Sequence, residues 1–495
     1  MKSNRTGCAL LVAGFVALAG CARDVTAPAA TPRTPSHSAG AVVDGQYLVL
    51  FKGNEIPADF QAQVEAAGGT VTFTHDETGF AIVGGLDAAG AAGIGALSSV
   101  AQVEADAVFS IDAPQAAVEV EASEVAGGAV QSVANPASAI RYAWQWNMRL
   151  IHANAAWAAG KLGSPDVTVA ILDSGLDYNI PDLNGLVDLS RSVSFVASDN
   201  ALRATYFPTR HPVTDFNGHG TNVASQVSSK AFAFAGVTSR TTLIGVKVLN
   251  RLGEGGVGVA LTGVLWAADH GANVANLSLG GSFDKVANGP LLSIINQVFN
   301  YANRKGMLIV ISAGNHMKDM DDHHDGIYSP TFYSAYCNTP HVVCVSAVGP
   351  EVASANPDNV SYYTSFGRSA ITVAAPGGNT DFANGYPLSV WPWGLGDASL
   401  VWSYCPKNKI DGLTQAGVPL LTACAAGNRL SGHMGTSQAA PHVAGLAALL
   451  MAEYGTGNVS LIKSRITSSA IDLGEPGTDP FYGRGRIDVA QALGL

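Results

Sequence analysis

Five almost uninterrupted apolar stretches, all after residue 165, constrain the fold more than any other feature of this 495-residue chain. They cover residues 167–172, 243–249, 273–279, 307–312 and 341–347. Segments with helical periodicity separate the first four stretches. Strands without polar alternation are typical of a parallel sheet that is covered on both faces. We therefore predict an α/β domain with a mainly parallel central sheet covered by helices.

Polar residues follow several of these predicted strands, where a parallel sheet gathers its reactive groups. Asp173 ends the first stretch, and Asn315 follows the fourth in the string Ser-Ala-Gly-Asn. His219 lies at the start of a helix in Asn-Gly-His-Gly-Thr, and Ser437 opens a long apolar helix. Each residue alone is explained by helix capping or loop hydrogen bonding. Together they predict a catalytic set: a serine, Ser437, activated by the base His219, which the acid Asp173 orients. The amide of Asn315 can bind an oxyanion.

These segments resemble the motifs of subtilisin-like serine proteases: D-S-G at Asp173, G-H-G-T at His219, A-G-N at Asn315 and G-T-S-x-A-x-P-H at Ser437. The chain order Asp, His, Ser is also that of subtilisin. Residues 140–495 are similar to the catalytic domain of this family. The resemblance implies a serine endopeptidase that uses Asp173, His219 and Ser437 as its triad and Asn315 as oxyanion donor. It also implies an acyl-enzyme and no cofactor for the chemistry.

Two further segments resemble the substrate-binding strands of the family. They are Ser278-Leu279-Gly280 and Ser312-Ala313-Gly314. Their small residues imply an open first pocket that accepts large apolar side chains. We expect protein and peptide substrates with broad preference, and a monomeric enzyme.

Residues 46–112 show strand and helix patterns in the order β-α-β-β-α-β, which predicts a small ferredoxin-like α+β unit. This unit resembles the inhibitor-type propeptide that precedes subtilisin-like proteases. The resemblance implies a zymogen that processes itself and whose propeptide acts as an intramolecular inhibitor. Residues 113–139 lack Leu and aromatic residues and are predicted to be an exposed linker that contains the cut.

The first 21 residues are predicted to be a signal peptide. Lys2 and Arg5 precede an apolar run, residues 8–20, that is too short to span a bilayer as a helix. The string Leu-Ala-Gly before Cys21 resembles a bacterial lipobox, which implies lipidation of Cys21; the alternative is an ordinary signal peptide. Residues 22–45 are predicted to be a flexible tether. We expect an extracytoplasmic precursor anchored to the membrane only by lipid, and a mature protease that is released.

Four cysteines remain after Cys8 and Cys21 are set aside, and four allow three disulfide pairings. The pairing Cys337–Cys344 and Cys405–Cys424 closes the shortest loops and is our prediction. A zinc site is the alternative, but the C-x₂-C spacing that zinc sites favour does not occur.

The chain departs from the subtilase pattern at several positions. Asn222 replaces a frequent His, and Gln438 replaces a frequent Met after the nucleophile. Asp182 matches a calcium ligand of the family, but the loop 228–242 contains no Asn or Asp to complete the six to eight oxygens that calcium prefers. We predict no metal at this site, although a structural calcium elsewhere stays open. An insertion over residues 377–431 either lines the substrate cleft or caps the fold.

Four other possibilities are considered and disfavoured. Residues 253–258 match G-x-G-x-x-G, but the next strand lacks the acidic residue of a dinucleotide site. The acidic run at residues 319–325 is consistent with a cation site, although such runs are more often only solvated. A catalytically inactive binding module would be expected to lack a triad residue. The net charge of −11 disfavours a nucleic-acid binder.

Overall fold

The computed structural model describes residues 42–53, 55–111, 118–121, 132–280, 282–284, 289–321, 332–334, 336–350, 356–379, 399–408 and 429–495. The predicted signal peptide, the lipidation site Cys21 and Cys424 lie outside these residues. The strands are β1 Val42–Phe51, β2 Thr70–His75, β3 Phe80–Gly84, β4 Val100–Ser110, β5 Val118–Glu121, β6 Thr168–Asp173, β7 Val193–Ser194, β8 Thr242–Lys247, β9 Glu254–Gly256, β10 Val274–Leu277, β11 Ser282–Asp284, β12 Leu308–Ser312, β13 Phe332–Ser334, β14 Val342–Val348, β15 Val373–Pro376, β16 Val401–Tyr404 and β17 Arg429–His433. The helices are α1 Phe60–Ala66, α2 Ala88–Gly95, α3 Trp146–Leu150, α4 Ala153–Ala158, α5 Ala197–Tyr206, α6 His219–Val227, α7 Val257–Asp269, α8 Gly289–Arg304, α9 Thr436–Tyr454, α10 Val459–Ser468 and α11 Val489–Leu493.

Within the described ranges, seven strands form a parallel sheet in the order β15-β14-β12-β10-β6-β8-β7. The five predicted apolar stretches all supply strands to this sheet, and β7 and β15 at its edges are additional. The predicted α/β fold is therefore confirmed.

Helices cover both faces of the sheet, as the apolar strands require. In β6, Val169 and Ile171 pack into one core cluster together with α6 and α9. The alternating residues Ala170 and Leu172 pack into a second cluster with α7 and α8. Successive side chains of a strand point to opposite faces, so uninterrupted apolar sequence is what a doubly covered strand needs.

The N-terminal residues form a separate antiparallel sheet in the order β2-β3-β1-β4, with α1 and α2 in the predicted β-α-β-β-α-β sequence. On β1, Val49 and Phe51 pack into a core with α1. The alternating Leu48 and Leu50 pack into the cluster that contains α7 and α8. The sheet is extended by β9, which pairs with the end of β4. The N-terminal unit thus shares one of its faces with the larger domain.

The prediction of an exposed linker over residues 113–139 is wrong in two places. Residues 118–121 form β5, which pairs antiparallel with β17. Pro136 and Ala139 are buried, and Ala139 belongs to the main core. The start of β1 at Val42 also corrects the predicted tether, which extended to residue 45. The linker prediction rested on composition, and the small residues of this segment do not show from composition alone where they pack.

The predicted disulfide Cys337–Cys344 is present. Cys405 is also disulfide-bonded, and its predicted partner Cys424 lies outside the described residues. A search of the described helices gives none that is long and apolar enough to cross a membrane.

Candidate active site

The predicted functional residues lie at the carboxyl edge of the parallel sheet. Asp173 is the last residue of β6, and His219 is the first residue of α6. Ser437 is the second residue of α9, and Asn315 follows β12 by three positions. Because parallel strands end at one edge, residues far apart in sequence are brought to one site.

Asp173 and His219 form a buried pair. The Nδ1 atom of His219 lies 2.9 Å from Oδ1 and 3.0 Å from Oδ2 of Asp173. His219 is 2% exposed and Asp173 is fully buried. The backbone N–H of Ser174 also donates to Asp173 Oδ1, at 2.7 Å. A carboxylate bound to Nδ1 fixes the imidazole tautomer that presents Nε2 as a base.

Opposing effects act on the His219 imidazole. Burial lowers its pKa, but the charge of Asp173 and the hydrogen bond to it raise the pKa. The charge of Asp215 acts in the same direction, and the pKa is raised overall. The surroundings of His219 therefore favour its protonated form, which is the form that a general base reaches when it accepts a proton.

Asp215 supports His219 and was not singled out by the sequence analysis. Its Oδ1 accepts the N–H groups of Asn217 and Gly218, both at 2.9 Å. Its Oδ2 accepts the N–H and the hydroxyl of Thr221, at 3.0 and 2.6 Å. Burial raises the pKa of Asp215, opposed mainly by the charge of Lys247. An Asp shortly before a helix start was a usable sequence signal, because its carboxylate can accept N–H groups that the helix leaves unpaired there.

A buried ion pair lies beside Asp173 and was also missed. Lys247 is fully buried, and its Nζ lies 2.8 Å from Oδ2 of Asp199, which is 1% exposed. Lys247 also donates to the backbone carbonyl of Ser174. In the sheet register Lys247 stands opposite Asp173. The only sequence signal was a lysine within an otherwise apolar strand.

Ser437 is held against the strand end that contains Ser278. The hydroxyl of Ser278 donates to the carbonyl of Ser437 at 2.7 Å, and Ser437 Oγ donates to the carbonyl of Ser278 at 3.2 Å. Among the residues that the structure describes, the nucleophile hydroxyl thus has Ser278 rather than His219 as its acceptor. Hydrogen bonds between catalytic groups of free enzymes are often long or poorly aligned and tighten only when substrate binds.

Asn315 is oriented by the residue that precedes the nucleophile. Its Oδ1 accepts the N–H and the hydroxyl of Thr436, both at 2.8 Å. The Thr436 hydroxyl in turn accepts the N–H of Gly314 at 3.0 Å. A Cβ atom at Gly435 would lie 3.2 Å from Asn315 Nδ2. The amide nitrogen therefore faces the nucleophile loop.

The two predicted substrate-binding segments extend from neighbouring strands. Leu277 of β10 pairs with Ile311 of β12, and residues 278–280 and 312–314 follow these strands. The side chains of Ser278, Leu279 and Ala313 are buried. These segments are therefore suited to contact a peptide through their backbones rather than through long side chains.

The two departures from the family pattern bond to each other. Gln438 Nε2 donates to Asn222 Oδ1 at 3.2 Å, which links α9 to α6. Asn222 Nδ2 donates to Ser403 Oγ at 3.0 Å, and Gln226 Nε2 donates to the carbonyl of Trp402 at 3.0 Å. The described part of the 377–431 insertion therefore packs against the helix that carries the base.

Asp182, the predicted remnant of a calcium site, is satisfied by backbone amides. Its Oδ1 accepts the N–H groups of Phe232 and Ala233 at 2.8 and 2.9 Å, and its Oδ2 accepts that of Phe234 at 3.1 Å. Burial raises its pKa to about 7, opposed by these bonds. These donors face the oxygens that a cation would need. The acidic run from Asp319 lies partly outside the described residues, and the described side chains contain no cluster of three metal-binding groups.

The glycine-rich segment 253–258 contacts the N-terminal unit. A Cβ atom at Gly253 would lie 2.4 Å from Ile111, and one at Gly256 would lie 2.6 Å from Asp106. A Cβ atom at Gly258 would lie 2.7 Å from Leu48. The absence of side chains here permits close approach of β1 and β4, which explains the motif without a nucleotide.

Comparison with known proteins agrees with this geometry. The Subtilase family model matches residues 164–485. Subtilisin DY from Bacillus licheniformis is 28% identical over 349 residues, which cover 70% of this chain and 97% of that protein. Thermitase from Thermoactinomyces vulgaris is 28% identical over 352 residues, which cover 70% of this chain and 95% of that protein.

Solved structures show the same fold. The epidermin leader peptide processing serine protease from Staphylococcus aureus has a TM-score of 0.69 at 21% identity, and the match covers 91% of this chain and 98% of that one. Fervidolysin from Fervidobacterium pennivorans has a TM-score of 0.64 at 20% identity, covering 92% of this chain and 62% of that one. Since the family model spans more than half of the sequence, the chain belongs to the subtilase family and is a subtilisin-like serine endopeptidase.

Proposed function

We propose that the protein hydrolyses peptide bonds in a broad range of protein substrates through an acyl-enzyme, with Asp173, His219 and Ser437 as its triad. The main support is the buried Asp173–His219 pair at the sheet edge where Ser437 is held. Ser437 Oγ turns from Ser278 towards His219 Nε2 and attacks the peptide carbonyl as His219 takes its proton. His219 then protonates the leaving amine, and water repeats the sequence to release the acid.

The tetrahedral intermediate carries a negative charge on the former carbonyl oxygen. The Asn315 Nδ2 group and the Ser437 backbone N–H are the proposed donors to this oxygen. Thr436 fixes the Asn315 carboxamide through its oxygen, which leaves the nitrogen as the end directed to the nucleophile loop. A donor that is oriented before the reaction stabilises the transition state without a reorganisation cost.

The N-terminal unit is proposed to be an inhibitory propeptide. Asp106 is buried, and its Oδ1 accepts the N–H of Gly258 at 2.9 Å, in the first turn of α7. Burial raises the Asp106 pKa to about 6, partly offset by this bond and by Gln46. Beyond β4, the N–H of Ile111 donates to the carbonyl of Gly253 at 2.8 Å. Gly253 in turn lies near Asn217, two residues before His219. The chain therefore approaches the catalytic base in an extended conformation.

Replacing Asn315 with Ala is expected to lower kcat by about 10²–10³ with little change in KM, because the donor acts mainly on charge that develops in the transition state. Steady-state kinetics on a peptide amide measures both constants. Asn303→Ala, on the surface of α8, is a matched control that should retain wild-type kinetics. A large rise in KM at constant kcat would assign Asn315 to substrate binding instead.

The acid limb of kcat/KM is expected to have its midpoint above about 6.5, the ordinary pKa of histidine. His219 must be neutral to act as a base, and its raised pKa means that activity is lost as the pH falls through this higher value. Asp215→Asn removes one of the charges that raise the pKa and should move the midpoint to lower pH. A midpoint below that of free histidine, or one unmoved by Asp215→Asn, would contradict the assignment.

Ser437→Ala is expected to leave the precursor uncut, whereas wild type cuts itself. Because Ile111 already lies beside Gly253, we expect the new N-terminus within residues 112–118, determined by N-terminal sequencing of the purified chain. Ser190→Ala, an exposed serine, is the control and should mature normally. Maturation of purified Ser437→Ala in isolation would refute self-processing.

The same variants test the proposed release from the membrane. The lipidation site Cys21 precedes the cut, so cleavage leaves the lipid on the propeptide alone. Cell fractionation should place the wild-type catalytic domain in the soluble fraction and the Ser437→Ala chain in the membrane fraction. A membrane-bound mature domain that begins at Cys21 would exclude this route.

A chelator is expected to leave the melting temperature unchanged, because backbone amides already satisfy Asp182. Asp182→Asn should instead destabilise the inactive Ser437→Ala protein by about 1–3 kcal/mol, since an amide NH₂ would face an N–H donor. Asp166→Asn, near the surface, is the control. Urea unfolding and thermal melts give these values. A marked fall in melting temperature after chelation would show that a bound metal stabilises the fold.

A further inference from the structure

The strand β5 pairs with one edge of β17, the strand that leads to Ser437. Its four residues pair antiparallel with β17: Val118 with Gly432, Glu119 with Ser431, Val120 with Leu430 and Glu121 with Arg429. On its other edge β17 pairs with β16. Residues 118–121 thus add a third strand to this small sheet through main-chain pairing.

The position of β17 relative to the nucleophile is fixed by the chain. Only three residues separate His433, its last residue, from Ser437. Within this link the N–H of Gly435 donates to the carbonyl of Gly377 at 2.9 Å. A peptide strand on β17 is therefore held at a defined distance from the Ser437 hydroxyl.

The two main-chain contacts of the precursor lie near different residues of the proposed triad. Ile111 binds Gly253, which lies near Asn217 and so near His219, whereas Val118 pairs with β17, which ends shortly before Ser437. Six residues, 112–117, connect them, and an extended chain covers at most about 25 Å in these seven steps. A substrate bound in the same direction has its segment after the cut on the β17 side.

We propose that the edge of β17 to which β5 pairs is also a strand-addition site for the segment of an extended peptide substrate that follows the scissile bond. This rests on the proposed function. In the precursor residues 118–121 hold the edge, and in the mature enzyme they compete with substrate for it. Recognition by strand addition uses main-chain hydrogen bonds and tolerates many sequences.

The register also suggests one side-chain preference. Arg429 stands opposite Glu121, and its Nε atom is buried without a hydrogen-bond partner among the described residues. Opposite charges on directly paired strand positions are favourable. A substrate with an acidic residue at this position is therefore the preferred occupant.

The test uses the full chain, allowed to mature, with Val120→Pro to weaken β5 pairing and Val120→Thr as its matched control. Two peptides share the sequence before the cut and carry two or ten residues after it; ten are enough to reach the Glu121 position, nine residues beyond Asp112. With Val120→Pro, the long peptide should have a KM about tenfold lower than the short one, which corresponds to ~1.4 kcal/mol. Wild type and Val120→Thr should show a smaller difference.

Backbone recognition is tested separately from side-chain recognition. In the long peptide, alternate backbone nitrogens of the distal half are N-methylated. Methylation of the nitrogens that face β17 should abolish the lower KM of this peptide, and methylation of those that face away should leave it unchanged. Arg429→Gln should remove the preference for Glu over Lys at the position opposite residue 429. A KM independent of peptide length in Val120→Pro, or equal effects of both methylation registers, would overturn the proposal. Failure to cut even the short peptide would instead refute the proposed protease function.

Discussion

The hydrogen-bonded pair of Asp173 and His219 constrains the structure around it, because a carboxyl group buried away from solvent needs hydrogen-bond donors from the protein. The imidazole and the Ser174 amide supply them directly. Around this pair lies a second buried pair, Lys247 with Asp199, and Lys247 also binds the Ser174 carbonyl. A buried ion pair is weak evidence for stability but is costly to break. In this protein the Lys247–Asp199 pair has a geometric consequence, because it anchors the end of the strand that carries Asp173.

The other buried carboxylates are also compensated by hydrogen-bond donors. Asp106, Asp182 and Asp215 each accept backbone N–H groups, and the accepted amides belong to a helix start or a tight loop. Burial raises the pKa of all three, so the bonds offset rather than remove the desolvation cost. For Asp182 this arrangement occupies the oxygens that match a calcium ligand in related proteases. Backbone amides are fixed in number by the fold and do not depend on the metal content of the surroundings.

Much of the fold was predictable because its signals are local. Apolar runs specify buried strands, and short motifs around Asp173, His219, Asn315 and Ser437 specify the residues that were placed in the site. The missed features depend on distant partners. The Asn222–Gln438 bond joins positions 216 residues apart, and either residue alone looks like a neutral departure from the family pattern. The strand β5 lies in a segment of mostly small residues, and its pairing depends on the distant strand β17 and not on the composition of that segment.

The proposed main-chain pairing to β9 and β17 would reconcile two proposed properties that otherwise conflict. A protease with broad preference must bind many sequences, whereas a precursor that cuts itself must bind one segment of its own chain. The chain's own β4 and β5 pair with β9 and β17. If substrates add to the same strands as proposed, both requirements are satisfied, because the backbone donors and acceptors are the same in every peptide. What distinguishes the chain's own segment is then its covalent attachment to the docked N-terminal unit, which keeps it at high effective concentration. In the proposed maturation, cutting the connection removes this advantage on the side of the N-terminal unit, whereas residues 118–121 stay attached to the catalytic domain. Any competition with substrate should therefore persist on the β17 side after it has ended on the β9 side.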